Sequence, residues 1–72
     1  MHKKIIKDAA YYIKRYMQDK CLTQREFADM CSVSQSTVSR WLDGRKISKR
    51  NAENMVSATS GNLTLKMLTG RG

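Results

Sequence analysis

The 72-residue chain contains no proline, and only four glycines interrupt it. Proline breaks a helix by removing a backbone donor and by clashing with the preceding turn, so no position in this chain forbids a helix. The sequence also lacks the alternation of apolar and polar residues, bounded by turn dipeptides, that is typical of β-strands. We therefore expect an all-α fold.

Long apolar runs are absent as well. No run approaches the roughly 18 residues that would span a bilayer, and no charged stretch leads into an apolar segment with a cleavage site. The two cysteines, Cys21 and Cys31, have only His2 as a further candidate ligand, which is too few for a structural zinc site. We expect both thiols to be reduced and packed as small apolar residues in a cytoplasmic protein, with no metal, cofactor or small-molecule ligand.

Acidic residues are scarce: six Asp and Glu stand against 14 Lys and Arg, which gives a net charge of +8. With 40% apolar residues the chain is too hydrophobic for a disordered basic tail, and its length allows a single domain over residues 1–72. Such an excess of positive charge most often indicates a polyanionic partner, either nucleic acid or an anionic membrane. Asp8 and Asp19 make the first predicted helix a poor membrane-binding surface. A basic protein that is merely soluble is the remaining alternative.

Apolar spacing and capping residues predict a compact bundle of about five short helices. The first runs from about Lys3 to Gln18, where apolar residues recur every three or four positions. The second begins after Thr23, because Thr23 and Glu26 have the spacing of a capping box and Leu22 can pack onto Phe27 across the cap. Two agreeing signals therefore mark this start.

The third helix follows after a very short connection. Only Ser32 and Val33 precede Ser34, which is placed to cap a helix that ends near Asp43, where Gly44 can adopt the left-handed conformation. The remaining predicted elements are a fourth helix capped by Ser48 and running to about Ala58, a break at Thr59 to Asn62, and a short fifth helix over Leu63 to Thr69 that carries Leu65, Met67 and Leu68.

The stretch from Gln24 to Asp43, QREFADMCSVSQSTVSRWLD, resembles the helix-turn-helix of the phage repressor and Cro family, the lambda-repressor type. The resemblance implies that Ala28 is the small residue where the two helices touch and that Val38 is the branched residue midway along the second one. It assigns the apolar positions of the shared core to Phe27, Cys31, Val33 and Trp41. The resemblance covers about residues 5–70. Ser32 departs from the pattern, since the family usually has glycine at this turn and a left-handed serine costs roughly 1 kcal/mol.

The resemblance implies DNA binding, and the physical logic agrees with it. An α-helix fits the major groove of B-form DNA, and a second helix packed across it holds its N-terminal end against the base edges. We expect a buried side of Val38, Trp41 and Leu42, with Trp41 in the core rather than stacked on bases. The polar outer face, predicted to read bases, consists of Ser34, Gln35, Ser36, Ser39 and Arg40.

Side-chain chemistry gives some residues of this face one expected DNA partner and leaves others with two. The Gln35 amide can pair bidentately with adenine, while Arg40 can reach either guanine or a phosphate. A solvated first turn is the alternative interpretation of Gln35 and Ser36. The tyrosines of the first helix are expected to serve packing rather than nucleic-acid stacking; they are Tyr11, Tyr12 and Tyr16.

Phosphate contacts are expected from helix N-termini and from basic residues on both sides of the third helix. Gln24 and Arg25 open the second helix, and a second group lies around the start of the fourth; its members are Arg45, Lys46, Lys49 and Arg50. An N-terminal cluster of Lys3, Lys4 and Lys7 is either an arm that reaches DNA or a solvated helix end.

The leading hypothesis is therefore a sequence-specific double-stranded DNA-binding regulator of the phage type, a Cro-like repressor that occupies a pseudo-palindromic operator as a dimer. The dimer surface is expected at the last helix, with Leu65 and Leu68, or at the loop from Gly44 to Ile47. Alternatives are an excisionase-like architectural protein and an antitoxin-like protein-binding regulator. An enzyme is not expected, because no nucleophile, paired-carboxylate or phosphate-loop motif is present.

Overall fold

The structure is a computed structural model that describes residues 8–69. Over this range the chain forms five helices and no strand, which confirms the all-α prediction. The helices are α1 (Ala9–Asp19), α2 (Gln24–Cys31), α3 (Gln35–Leu42), α4 (Lys49–Ala58) and α5 (Leu65–Thr69). None of the helices in the described part of the chain is long and apolar enough to cross a membrane.

The first helix begins later than its apolar pattern predicts. Asp8 has an extended backbone, and its carboxylate accepts a hydrogen bond from the amide of Tyr11 across 2.9 Å. Aspartate competes with helix continuation in this way, so α1 starts at Ala9 instead of running through Asp8. The predicted start near Lys3 lies outside the described residues.

The next three helices begin where their capping residues predict. Thr23 and Glu26 form the reciprocal capping box of α2, with hydrogen bonds of 2.8 and 3.1 Å. Ser34 caps α3, and Ser48 caps α4 by accepting from the amide of Asn51 across 3.2 Å. These caps satisfy helix N-terminal donors that have no partner within their own helix.

The turn between α2 and α3 uses the strained position expected at Ser32. This serine is left-handed, with φ 56° and ψ 41°, and its amide donates back to the carbonyls of Ala28 and Asp29. The amide of Val33 donates to the same Ala28 carbonyl across 3.0 Å. The turn therefore closes the end of α2 tightly, although a serine occupies a position that suits glycine.

The core lies among the five helices of the described residues, each of which contributes at least one buried apolar side chain. Trp41 is buried in the core, as expected, and Tyr16 packs against Phe27 with ring centroids 6.0 Å apart. The rings of Tyr11 and Tyr12 are edge-on to each other, with centroids 5.2 Å apart, so these two tyrosines pack against each other within α1. The buried apolar residues are Ile13, Met17, Phe27, Ala28, Cys31, Val38, Trp41, Ile47, Ala52, Met55, Leu63 and Leu68.

The last helix is shorter than predicted. It begins at Leu65, because Leu63 is buried in the connection that precedes it and Thr64 accepts from the amide of Met67 across 3.2 Å. Leu68 is only 4% exposed, whereas Leu65 is 38% exposed. The expectation that Leu68 forms part of a dimer surface is therefore wrong, since its side chain belongs to the core of its own chain.

Two further expectations need correction in the same way. Ile47, predicted within a loop available to a partner, is buried and anchors that loop to the core. Cys21 is exposed, at a left-handed position with φ 55°, in the turn that follows α1. Only Cys31 packs as a small apolar residue, so the prediction of two buried thiols is wrong for Cys21; both thiols are free.

Candidate nucleic-acid interface

The outer face of α3 is polar and accessible. All five residues predicted to read bases are exposed, while Val38 and Trp41 on the opposite side of the helix are buried. Small hydroxyl side chains dominate the N-terminal end of this face, and a helix end without bulky side chains can approach a groove closely. The exposed residues of the face are Ser34, Gln35, Ser36, Ser39 and Arg40.

A cluster of three hydroxyl groups organises the start of α3. The Ser34 hydroxyl lies 3.0 Å from that of Ser36 and 2.9 Å from that of Thr37, and it accepts from the Thr37 amide across 3.3 Å. Sequence reasoning missed Thr37, which is half-buried and three residues beyond the cap. The spacing of a hydroxyl residue at the third position after a serine cap is the signal that could have indicated it.

The remaining side chains of the face have fewer restraints. Within residues 8–69, no hydrogen bond or ion pair holds the amide of Gln35 or the guanidinium of Arg40. Both side chains therefore keep their full hydrogen-bonding capacity for a partner, which is five N–H donors for arginine and two N–H donors and a carbonyl acceptor for glutamine.

The first predicted phosphate-binding group lies at the start of α2. Arg25 is exposed, whereas Gln24 is half-buried in the first turn. Exposed amides at a helix N-terminus attract anions. The Glu26 carboxylate already occupies part of this end, since it accepts from the amide of Thr23 in the capping box. Arg25 is thus the main cationic side chain at this edge.

The second group lies in the loop between α3 and α4 and in the first turn of α4. The amide of Arg45 donates to the carbonyl of Arg40 across 3.0 Å, and Gly44 adopts φ 92°, so the loop is tied to the C-terminal end of α3. Buried Ile47 and the Ser48 cap hold the other end of the loop. The exposed basic residues carried by this arrangement are Arg45, Lys46, Lys49 and Arg50.

The start of α1 lies close to the same loop. Asp8 and Ala9 line a shallow depression of about 140 Å³ together with Arg45 and Lys46. The predicted lysine cluster of Lys3, Lys4 and Lys7 precedes this point in the chain and lies outside the described residues.

One contact between α4 and the end of α2 is not predicted by the sequence. The side-chain amide of Asn54, on α4, donates to the main-chain carbonyl of Cys31, the last residue of α2. The only sequence signal is the presence of asparagine, a poor helix former, in the interior of a predicted helix. The contact joins the C-terminal end of α2 to α4, the helix that carries Lys49 and Arg50.

Two capped helices joined by a tight turn, with the second exposing a polar face, define a DNA-binding helix-turn-helix protein. Comparison with known families agrees: the helix-turn-helix family model matches residues 13–67, most of the chain. The chain belongs to this Cro/CI-type family of DNA-binding transcription regulators. Comparisons with curated proteins and with solved structures gave no significant match.

The described residues contain no arrangement that suggests a metal centre. Among residues 8–69, no three His, Cys, Asp or Glu side chains come together closely enough to hold a metal ion.

Proposed function

We propose that the protein is a Cro-like repressor whose helix-turn-helix domain occupies a pseudo-palindromic operator as a dimer and thereby blocks polymerase. The observation that carries the proposal is the layout of charge around α3. The N-terminal part of its outer face is exposed and uncharged, and exposed basic residues flank it on both sides. The uncharged residues are Ser34, Gln35, Ser36 and Ser39, and the basic ones are Arg25, Arg45, Lys46, Lys49 and Arg50. Phosphate contacts from such flanks position a protein on DNA, and the uncharged face between them reads bases.

Base reading is assigned from side-chain chemistry. Gln35, in the first turn of α3, pairs with adenine N6 and N7, and Arg40 reaches guanine or a phosphate one turn later. Ser36 and Ser39 donate to or accept from several bases, with Ser34 at the N-terminal edge of the same face.

The phosphate contacts come from the two flanks of α3. Gln24 and Arg25 serve one side, and the other side is served by Arg45, Lys46, Lys49 and Arg50. For a dimer that neutralises about eight phosphates, the logarithm of affinity falls with the logarithm of salt concentration at a slope near −7. A slope near zero contradicts the electrostatic part of the proposal.

Dimerisation on DNA follows from size, because one small module seldom buries enough contact to be specific. Two-fold symmetry then places the half-sites about one helical turn apart. Exposed Leu65 on α5 and the exposed part of the loop from Gly44 to Lys46 are the surfaces proposed for contact between the protomers. The site of action is the cytoplasm of a bacterial or phage-infected cell, where the DNA is.

The test is selection of bound duplexes from a random pool, made with the wild-type chain and with two variants. Gln35→Ala should change the preferred base at one position in each half-site, by roughly 1 to 3 kcal/mol, whereas Lys49→Ala should weaken all sequences alike. Enrichment of no palindrome contradicts the repressor assignment; DNA bending over several adjacent sites then favours an architectural role, and capture of a partner protein favours an antitoxin-like one.

A further inference from the structure

The C-terminal end of α2 needs hydrogen-bond donors, because the last carbonyls of a helix have no partner within it. The turn supplies donors for the earlier carbonyls: the amides of Ser32 and Val33 donate to Ala28, and Ser32 also donates to Asp29. The carbonyl of Cys31 instead accepts from the Asn54 side chain, 23 residues further along the chain. One side chain of α4 therefore completes the end of the helix that precedes α3.

Asn54 shares a face of α4 with Arg50, since residues four apart in a helix are neighbours. Both side chains line the surface depression between α4 and the turn, together with Ser32 and Val33. Arg50 is exposed, in the first turn of its helix. The hydrogen bond from Asn54 thus links the face of α4 that carries Arg50 to the last residue of α2.

We propose that Asn54 is a positioning residue for DNA binding, which holds the basic first turn of α4 in register with α3 so that Arg50 meets a backbone phosphate. The inference rests on the proposed function. Asparagine disfavours the interior of a helix, so helix formation alone does not explain its place in α4. A phosphate contact depends on the relative placement of α3 and α4. Buried Ala52 and Met55 hold α4 against the core, and the hydrogen bond from Asn54 adds a directional link from α4 to the end of α2.

The experiment is a double-mutant cycle between Asn54 and Arg50. The wild-type chain, N54A, R50A and the double variant are titrated onto the selected operator at several salt concentrations by fluorescence anisotropy. We expect R50A and N54A each to weaken binding at least about fivefold, the size of one ordinary hydrogen bond. Each variant also has a shallower salt slope, by about 0.9 for each phosphate that the protein no longer neutralises.

The two effects should not add. If Asn54 acts through Arg50, N54A has no further effect on affinity or salt slope in the R50A background. The base preferences found by selection stay those of the wild type in both variants. Ser57→Ala, a change at another exposed position of α4, is the matched control and should leave affinity unchanged.

Loss of folding is separated from loss of positioning by a second variant. Asn54→Leu keeps the size of the side chain and favours the helix but removes the donor. Thermal unfolding of this variant checks that it is folded at the assay temperature. Weakening by N54A or N54L that is equal with and without Arg50, at an unchanged salt slope, overturns the positioning role. Failure of the wild-type chain to bind any duplex overturns instead the proposed function on which it rests.

Discussion

The main-chain amide of Leu63 donates to the hydroxyl oxygen of Thr59 across 3.1 Å. Thr59 is the C-cap residue of α4, and its own hydroxyl hydrogen goes to the carbonyl of Met55 across 2.8 Å. Among the described residues Thr59 is the buried polar residue of the core, at 2% exposure. Its hydroxyl therefore connects the end of α4 to the buried leucine from which the chain enters α5.

Replacing Thr59 with valine should destabilise the fold. The substitution keeps the shape of the side chain but leaves the buried amide of Leu63 without a partner, which costs about 1 to 3 kcal/mol. Urea unfolding followed by circular dichroism measures the change. Thr59→Ser retains the hydroxyl and should destabilise less; a serine variant destabilised as much as the valine variant would mean that the methyl group, which only the serine variant lacks, contributes as much as the hydrogen bond.

Removing the cap of α3 should also lower stability. In Ser34→Ala the amide of Thr37 loses its acceptor, and the hydroxyls of Ser36 and Thr37 lose their common neighbour. Loss of a serine cap costs about 1 kcal/mol, which in a domain of this size lowers the melting temperature by roughly 4 to 8 °C. Ser39→Ala, at an exposed position inside the same helix, is the control and should change stability by less than about 0.5 kcal/mol.

Glycine at the α2–α3 turn should stabilise the protein. Ser32 has a left-handed backbone and is exposed. Relief of the left-handed strain exceeds the extra entropy of glycine in the unfolded chain, so we expect Ser32→Gly to raise the free energy of unfolding by about 0.5 to 1 kcal/mol. The opposite change at Gly44, to alanine, should destabilise, because φ there is 92°. A destabilised Ser32→Gly variant would show that the serine side chain has a role of its own.

Local signals predicted the fold where the chemistry that forms an element is itself local. A cap and its helix lie within four residues, so Thr23, Ser34 and Ser48 are found from sequence alone. The prediction that the first helix runs through Asp8 is wrong, because the apolar period gives no sign of a break there and the capping carboxylate of Asp8 decides the boundary. The start of α5 depends on the hydroxyl of Thr59, which holds Leu63 outside the helix. The burial of Thr59 is set by tertiary packing and not by a local signal.

In the candidate site, too, local sequence signals predict some features and miss those that depend on contacts between distant residues. The exposure of Gln35 and Arg40 follows from helical periodicity, which also predicts the burial of Val38 and Trp41. The contact between Asn54 and Cys31 joins residues far apart in the chain, and no periodicity or cap signal brings them together. The exposure of Cys21 likewise depends on the path of the turn after α1 rather than on the apolar character of cysteine.

The two thiols should differ in reactivity. Cys21 is exposed, whereas Cys31 is completely buried, and burial raises the pKa of the Cys31 thiol to about 11. Because the thiolate is the reactive form, iodoacetamide at pH 8 should modify Cys21 in the folded protein and leave Cys31 unmodified. Mass spectrometry should find one adduct under native conditions and two in urea. Cys21→Ser should then give none until the protein unfolds.

The raised pKa of Cys31 also predicts a loss of stability at alkaline pH. The folded-state pKa of about 11 lies above the ordinary value of 9.0, so the folded protein retains a proton that the unfolded chain releases. The stabilisation is complete below pH 9 and is lost as the pH rises towards 11, by up to about 1.4 kcal/mol per pH unit. All other ionisable groups are common to the wild type and to Cys31→Ala and cancel in a comparison of the two. The stability advantage of the wild type over this variant, measured by urea unfolding, should therefore shrink by roughly 1 to 1.5 kcal/mol between pH 8 and pH 10. An advantage that stays constant over this range would mean that the Cys31 thiolate is accommodated in the core without penalty.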